Sequence, residues 1–233
     1  KYLMLMIKFL LSLFLLSNVM GQKPTTSEFK HYLNKYNKHY NSSEFELRFK
    51  TFSHNLKYIN THNYQNKSYT LGVNNFTDWT HNEFKSTYLR LNKKQNTSNH
   101  IRYNFTNVTI PQSIDWRANG LVTDVKDQGQ CGSCWAFSTT GSLESAYAIS
   151  KNKLYSLSEQ ELMDCSHSFG NQGCEGGLMD DAFMFVKSNG ICKENAYPYK
   201  AVDEKCQESS CSSLFKISGY TDVPTSDENA LQL

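Results

Sequence analysis

The spacing of apolar residues predicts helices in the first half of the chain. In one polar stretch they recur three or four residues apart, as on one face of an amphipathic helix, at Phe45, Phe49, Phe52, Leu56 and Ile59. Two capping boxes, Thr25 with Glu28 and Ser43 with Glu46, predict the starts of a first helix and of this one. Alternation from residue 69 predicts a short strand that runs into a turn by residue 78, and the polar residues 85–107 predict a linker.

The second half is predicted to contain three helices and a strand. The helices are marked by caps or stop signals: Ser133 before Cys134 to about Ile149, Ser158 with Glu161 before a helix that ends near Cys165, and Asn189-Gly190 after a helix from Met179 to Ser188. Residues 217–223 are predicted to form the strand.

An apolar run near the beginning of the chain predicts a signal peptide. Lys8 precedes the apolar residues 9–16, polar Ser17 and Asn18 close the run, and residues 1–21 fit a leader that is cleaved before Gln22. The run is too short for a comfortable membrane span, so we expect an exported protein without a stable membrane anchor. Six N-glycosylation sequons agree with export: Asn41, Asn66, Asn75, Asn96, Asn104 and Asn107.

Cysteine usage and charge predict a domain boundary near Thr109. All seven cysteines lie between Cys131 and Cys211, and an odd number in an oxidising compartment predicts disulfides plus one free thiol. Residues 22–109 contain 13 basic and 5 acidic residues, a net charge of +8, whereas residues 110–233 contain 9 and 17, a net charge of −8. Because no block of like charge occurs, this split favours two parts that bind each other over nucleic-acid binding.

The run from Gln128 to Ser138 contains candidate residues for acyl transfer. A thiol at a helix N-terminus, as predicted for Cys134, is stabilised as the thiolate by the helix dipole. Gln128 offers an amide donor nearby, and Gly129 and Gly132 allow a backbone to pass close to a substrate. These residues therefore predict a nucleophile and an oxyanion hole.

The C-x-x-C spacing of Cys131 and Cys134 allows two other interpretations. Redox pairs have this spacing, but they normally have an aromatic residue before the first cysteine, whereas Trp135 follows the second here. A zinc site would require a second cysteine pair or paired histidines, and neither follows.

The run from Gln128 to Ser138 resembles the active-site segment of the papain family of cysteine proteases. A set of residues on the second predicted helix is similar to the ERFNIN pattern of cathepsin L-like propeptides: Glu44, Arg48, Phe52, Asn55, Ile59 and Asn63. A second set resembles the accompanying G-x-N-x-F-x-D pattern: Gly72, Asn74, Phe76 and Asp78. Residues 174–179 resemble the substrate-cleft segment of the family, and residues 110–117 resemble its mature N-terminus.

The resemblance implies a role for each matching residue of the second half. Cys134 would be the nucleophile, and Gln128 would form the oxyanion hole with the backbone N–H of Cys134. Four residues would bind substrate: Gly132 and Gly177 along the cleft, and Leu178 and Met179 in the pocket for the residue two before the scissile bond.

The resemblance also implies a disulfide framework. It pairs Cys131 with Cys174 and Cys165 with Cys206, and we expect the remaining Cys192 and Cys211 to pair with each other. Cys134 is then the one free thiol.

The fold implied by the resemblance is α+β. Residues 1–21 would be a signal peptide, residues 22–109 a helical inhibitory propeptide, and residues 110–233 the helical left-hand half of a papain-like domain, with the right-hand β-barrel missing. The substrates would be polypeptides and the propeptide an intramolecular inhibitor. The complete enzyme would be a monomer with no cofactor or metal, located in a lysosome-like vacuole or outside the cell.

One feature departs from the family pattern. After residue 109 the sequence contains a single histidine, His167, in a predicted surface loop, and the catalytic His and Asn of the family occur later than residue 233. We therefore expect that this chain alone cannot catalyse. Besides a zymogen of an active endopeptidase, a naturally short inhibitor or binding protein and an inactive homologue are alternatives, although intact Cys134 and Gln128 argue against decay.

Overall fold

A computed structural model describes residues 23–89, 111–207 and 211–232. The chain divides into two compact units, Lys1–Phe84 and Lys85–Leu233. The predicted signal peptide, the predicted linker from residue 90 onwards, the boundary near Thr109 and the sequons at Asn96, Asn104 and Asn107 lie outside the described residues and stay predictions. The linker prediction is wrong for residues 85–88, which form the end of a helix.

The described residues contain seven α-helices, which are numbered here in chain order: α1 Thr26–Lys35, α2 Ser42–Tyr64, α3 His81–Tyr88, α4 Cys134–Lys151, α5 Glu159–Cys165, α6 Met179–Ser188 and α7 Glu228–Gln232. Two short 3-10 helices, His167–Phe169 and Gly173–Glu175, lie between α5 and α6. No helix within the described ranges is both long enough and apolar enough to cross a membrane.

The core of the first unit lies between α1 and α2. The ring of Phe29 on α1 is fully buried and lies 5.2 Å from the rings of Phe45 and Phe52 and 5.4 Å from that of Phe49. Aromatic pairs at these separations stabilise a fold by more than the burial of their surface alone. Such pairs therefore help a small helical unit to form a stable core. The predicted apolar stripe on α2 is confirmed for Phe45, Phe49, Phe52 and Leu56, which pack in this core, whereas Ile59 is half-buried outside it.

The two predicted helix starts in this unit have different outcomes. The capping box of α1 is confirmed, because the N–H of Glu28 donates to Thr25 Oγ1 at 3.2 Å and the N–H of Thr25 donates to Glu28 Oε2. The box predicted at Ser43 is wrong, since α2 begins earlier and Asn41 is its N-cap. Asn41 Oδ1 accepts the N–H of Glu44 at 2.9 Å, and Asn is as good a cap as Ser.

The strand predicted from residue 69 is also wrong, although the turn predicted to follow it is present at residues 75–78. Side chains of α2 take the hydrogen bonds that a neighbouring strand would provide: Asn63 bonds both the N–H and the carbonyl of Leu71, at 2.7 and 2.8 Å. Asn55 Nδ2 likewise donates to the carbonyl oxygens of Thr77 and Trp79, each at 2.9 Å. Backbone groups satisfied in this way need no sheet partner, so the segment is irregular and follows the helix.

Asp78 is the polar centre of the first unit. Its side chain is completely buried, and its carboxylate accepts bonds from Lys38 Nζ at 2.7 Å, Tyr32 OH at 2.9 Å and Tyr40 OH at 2.7 Å. Burial and the neighbouring carboxylate raise the pKa values of both tyrosines, which therefore stay protonated as donors. Arg48 donates to the backbone carbonyl of Asp78 and pairs with Glu83 at 2.8 Å.

The second unit is built around α4, α5 and α6. Its core includes the fully buried Trp135 of α4, Leu162 of α5 and Phe185 of α6. Helix α6 has the predicted bounds, and the predicted cap of α5 is confirmed, because the N–H of Glu161 donates to Ser158 Oγ at 2.9 Å.

Three disulfides cross-link the loops of the second unit: Cys131–Cys174, Cys165–Cys206 and Cys192–Cys211. They are the same pairs that the sequence leads us to expect. They join residues 43, 41 and 19 positions apart, so each restricts the unfolded chain and thereby stabilises the fold.

The strand predicted for residues 217–223 is wrong. In the described part of the chain the extended pairing stops at Phe215, which forms an isolated bridge with Ile191. The N–H of Ile191 donates to Phe215 O at 3.1 Å and that of Leu214 donates to Ile191 O at 2.7 Å. The described residues contain helices and two isolated β-bridges but no strand, so only the helical part of the predicted α+β fold is observed in them.

Candidate active site

Cys134 is the first residue of α4 and, of the seven cysteines, all of which lie in the described ranges, the only one without a disulfide partner. Its side chain is half-buried, whereas the next two residues, Trp135 and Ala136, are fully buried. The indole N–H of Trp135 donates to the carbonyl of Gly173 at 3.1 Å. The buried start of α4 therefore holds a reachable thiol at the helix N-terminus. Because Cys131 is bonded to Cys174, the redox interpretation of Cys131 with Cys134 is wrong.

Ser133 occupies the N-cap position of α4 but does not cap the helix with its side chain. This residue is fully buried, and its hydroxyl lies 2.6 Å from the hydroxyl of Tyr199 instead. The N-cap position of Ser133 is therefore predicted correctly. The hydrogen bond of its hydroxyl depends on Tyr199, which is 66 positions away in the sequence.

Gln128 lies in the loop that leads to α4. Its amide Nε2 donates to the carbonyl of Cys131 at 2.8 Å, and the N–H of the neighbouring Gly132 donates to Cys174 O at 3.0 Å. A glutamine amide has two N–H groups, so this bond orients the amide and leaves one donor over. The structure therefore places Gln128 and Gly132 in the cross-linked loop that ends at Cys134.

A buried ionic cluster anchors the same loop to α4 and α5. Lys126 Nζ donates to Glu144 Oε1 at 2.7 Å and to Glu159 Oε1 at 2.6 Å, and both carboxylates are almost completely buried. Burial opposes the charge of Lys126, but the bonds to both glutamates prevail and raise its pKa. Thr123 and Thr140 each donate a further bond to the cluster, at 2.6 Å. The chain just before Gln128 is thus fixed to α4 and α5.

Gly177 is packed against the N-terminal turn of α4. A Cβ at this position would lie 2.4 Å from Asn171 Oδ1 and 2.7 Å from the ring of Trp135. Asn171 Oδ1 also accepts the N–H of Leu178 at 2.8 Å, which fixes the start of the next segment. Leu178 and Met179 are half-buried, and Met179 is the first residue of α6. The four residues predicted to bind substrate thus lie in segments that contact the start of α4 or the Cys131–Cys174 disulfide.

His167 lies in the loop between α5 and α6. Its Nδ1 is 3.0 Å from the carbonyl of Asn171, so the ring is bonded within its own loop. This agrees with the prediction that His167 belongs to a loop outside the catalytic segment.

One group of possible metal ligands occurs in the described residues, formed by Glu161, Cys192 and Cys211. The two cysteines are joined in a disulfide, so only the carboxylate of Glu161 remains as an ordinary ligand.

The sequence analysis missed Tyr199, Asn171 and the Lys126 cluster. Only the cluster left a usable signal in the sequence, because Glu144 is the one carboxylate in α4 and follows the apolar Leu143. The contacts of Tyr199 and Asn171 join loops, which show no periodicity.

Two family comparisons match the two parts of the chain. Residues 110–233 match the family described as papain family cysteine protease. Residues 29–84 match the cathepsin propeptide inhibitor domain.

Curated relatives cover most of this chain. It is 42% identical over 203 residues to a cathepsin L-like proteinase of Fasciola hepatica, covering 84% of this chain and 62% of that protein. It is 46% identical over 200 residues to a KDEL-tailed cysteine endopeptidase of Arabidopsis thaliana, covering 81% of this chain and 55% of that protein. The chain therefore spans between 55% and 62% of the length of these two relatives.

Solved precursors of such proteases share the fold. A recombinant stem bromelain precursor superimposes with a TM-score of 0.78 at 37% identity, covering 88% of this chain and 67% of that one. A digestive procathepsin L2 from Tenebrio molitor gives a TM-score of 0.79 at 37% identity, covering 88% and 70%. With a free cysteine at the start of α4, a matching peptidase domain and a matching propeptide domain, the chain belongs to the papain family of cysteine proteases.

Proposed function

We propose that this chain belongs to a secreted or lysosomal cysteine endopeptidase zymogen that hydrolyses peptide bonds through an acyl-enzyme on Cys134. The observation that supports it most is the single free thiol at the N-terminus of α4, beside a loop that carries the oriented amide of Gln128. A helix N-terminus favours the thiolate, which is the reactive form of cysteine.

The proposed reaction has two steps. Cys134 Sγ attacks the carbonyl carbon of the scissile bond, and the resulting oxyanion accepts bonds from the free N–H of Gln128 Nε2 and from the backbone N–H of Cys134. The leaving amine takes up a proton and departs, which leaves a thioester on Cys134. Water then attacks the thioester, releases the carboxylic acid and restores the thiol.

Both steps require a general base and acid beside the thiol. After residue 109 the sequence has His167 alone, and its ring is bonded to Asn171 O. We propose that the catalytic imidazole and its Asn partner come from protein outside these 233 residues, as the family pattern implies.

Residues 22–109 are proposed to be the inhibitory propeptide and residues 110–233 part of the peptidase domain. The match of residues 29–84 to a propeptide inhibitor domain supports this division. Residues 1–21 are proposed to be a signal peptide, in agreement with the disulfides of the second unit, which require an oxidising compartment. Polypeptides are the proposed substrates of a monomeric enzyme.

The test is replacement of Cys134 by Ala in the full-length protein. We expect Cys134→Ala to abolish both hydrolysis of a fluorogenic peptide and covalent labelling by a thiol-reactive epoxide, while far-UV circular dichroism stays unchanged. The matched control is Ser142→Ala, an exposed position on the same helix, which should retain full activity. Labelling of the Ala variant at the wild-type rate would show that another residue is the nucleophile.

A further inference from the structure

Tyr199 connects the loop of Gln128 to the residue before Cys134. Its hydroxyl donates to the backbone carbonyl of Gln128 at 2.6 Å and lies 2.6 Å from Ser133 Oγ. Gln128 and Ser133 are on opposite sides of the cross-linked turn that contains Cys131. A single oxygen atom therefore bridges the two ends of this turn.

The direction of the bridge follows from the number of protons. A tyrosine hydroxyl has one proton, and the carbonyl of Gln128 can only accept, so Tyr199 gives its proton to Gln128. The hydroxyl of Ser133 must then donate to Tyr199. Hydrogen bonds that run in one direction strengthen each other in a poorly solvated site, and Ser133 is fully buried.

Tyr199 is itself held on two sides. Its ring packs edge-on against Phe137 of α4, with centroids 4.9 Å apart, and its backbone N–H donates to Glu194 Oε1 at 2.7 Å. Burial raises the pKa of Tyr199 to about 12, so the hydroxyl keeps its proton throughout the neutral range. The bridge therefore depends on a hydroxyl that packing holds against α4 and that stays protonated.

We propose that Tyr199 is a positioning residue for the oxyanion hole, which sets the place of Gln128 relative to Cys134 through the Ser133–Tyr199–Gln128 bridge. This inference rests on the proposed function, in which the Gln128 amide and the Cys134 N–H bind the same oxyanion. Only one of the two donors lies on α4, so their separation depends on what joins the loop to the helix. The disulfide fixes the middle of the turn, and the bridge fixes both ends.

The test is Tyr199→Phe in the full-length protein, matured to the active enzyme. The ring and its contact with Phe137 remain, whereas Gln128 O and Ser133 Oγ lose their shared partner. We expect kcat to fall by about 10- to 100-fold, because a displaced donor weakens binding of the transition state, while KM changes by less than about threefold. Alkylation of Cys134 by iodoacetamide forms no oxyanion, and its rate should change by less than about twofold.

The matched control is Tyr197→Phe, the same change two residues earlier. Tyr197 is buried, and its hydroxyl donates to Asp164 Oδ2 at 2.9 Å, away from the Gln128 loop. We expect this variant to lose stability and to keep the wild-type kcat per titrated active site.

A second variant, Ser133→Ala, tests the other arm of the bridge by the same two measurements. Because both residues act through one oxygen, the double variant should lose little more activity than the worse single variant. Wild-type kcat in Tyr199→Phe, or equal losses in hydrolysis and alkylation, would overturn the inference and leave the proposed function intact. If Tyr199→Phe does not fold, wild-type kcat in Ser133→Ala would overturn it equally. A wild-type enzyme without Cys134-dependent hydrolysis would overturn both proposals.

Discussion

At the scale of single residues, Gly177 shows how closely the segment beside α4 is packed. Its Cα faces the ring of Trp135, which is fully buried, and the side chain of Asn171, which holds the backbone of Leu178. Both neighbours are fixed by their own hydrogen bonds, Trp135 to Gly173 O and Asn171 to Ser166 Oγ. A methyl group at position 177 could therefore be accommodated only by displacing a bonded partner.

The substitution Gly177→Ala should lower the free energy of unfolding by about 1–3 kcal/mol through overpacking. The matched control is Gly141→Ala on α4, where an added Cβ meets nothing within 4 Å. Alanine is the better helix former, so this change should raise the free energy of unfolding by about 1 kcal/mol. Urea unfolding of the two variants gives the comparison, and effects of the same sign would contradict it.

The side chains of Leu178 and Met179 lead to a prediction about specificity. Both are half-buried apolar residues beside Gly177, and we expect the complete enzyme to prefer an apolar or aromatic residue two before the cut. Profiling with a peptide library measures this preference directly. A library in which arginine is the best residue at that position would contradict the prediction.

At the scale of elements, α2 uses two faces for different purposes. Phe45, Phe49 and Phe52 pack on α1, whereas Asn55 and Asn63 bind the backbone of the irregular segment after the helix. Asp78, at the end of that segment, then gathers three donors from α1 and the loop that follows it. The residues of the ERFNIN pattern thus lie on α2, and those of the G-x-N-x-F-x-D pattern lie in the irregular segment that Asn55 and Asn63 bind.

Replacing Asp78 by Ala should strongly destabilise the first unit. The change leaves the ammonium group of Lys38, which is 10% exposed, without its partner and removes the acceptor of two tyrosine hydroxyls. Breaking a buried pair in this way typically costs about 3–5 kcal/mol. The control is Glu46→Ala, an exposed carboxylate on α2, for which we expect less than about 0.5 kcal/mol. Similar urea midpoints for the two variants would argue against a central role of Asp78.

The segment between α6 and Tyr199 carries a pH-dependent group. The pKa of Glu194 is raised from 4.5 to about 7, mainly by burial and also by the neighbouring Glu159, although the bond from the N–H of Tyr199 and the charge of Lys126 lower it. One oxygen of Glu194 is buried and has no partner among the described residues. The folded protein therefore keeps a proton on Glu194 between about pH 4.5 and 7 that the unfolded chain has lost, and its stability falls as the pH rises through this range.

The substitution Glu194→Gln should remove this loss of stability. Glutamine keeps an oxygen for the N–H of Tyr199 and cannot ionise, so its advantage over the wild type should grow by about 1–2 kcal/mol between pH 5 and pH 8, after allowance for partial exposure. Glu204→Gln is the control, because Glu204 pairs with Lys200 at the surface, and its effect should stay below about 0.5 kcal/mol. A pH-independent difference between Glu194→Gln and the wild type would disprove the effect.

At the scale of the whole molecule, the charges of the two sequence regions are opposite. Residues 22–109 carry a net charge of +8 and residues 110–233 a net charge of −8. Complementary charge favours association of a propeptide with its enzyme and weakens as salt or acid removes the attraction. Carboxylates begin to take up protons near pH 4 to 5, which removes negative charge from residues 110–233.

We therefore expect a separately produced propeptide to inhibit the mature enzyme most tightly at neutral pH and low salt. The inhibition constant should rise at pH 4–5 and in about 1 M NaCl, where the Debye length falls to about 3 Å. Reversing two exposed charges of α2, Lys50→Glu and Lys57→Glu, should weaken inhibition at neutral pH without disturbing the core. Inhibition that is equally tight at pH 4 and pH 7 and insensitive to salt would show that charge does not control the complex.

The sequence by itself determined the features that depend on neighbouring residues. Helix periodicity, the caps at Thr25 and Ser158 and the start of a helix at Cys134 are all encoded within a few positions, so local physics is sufficient to identify them. The alternation at residues 69–78 led to a wrong strand prediction because it too is a local pattern. A strand also requires a partner strand, and here side chains of α2 form the hydrogen bonds with the backbone instead.

Only the tertiary structure decided which distant groups meet. The hydroxyl of Tyr199 bonds to residues 66 and 71 positions away, and Asp78 collects donors from 38 to 46 positions away. Single polar residues in loops carry no periodic signal, and any of several tyrosines could have filled either place. A buried polar group is favourable only when it has a hydrogen-bond partner. Which partner it meets is determined only when the whole core is packed.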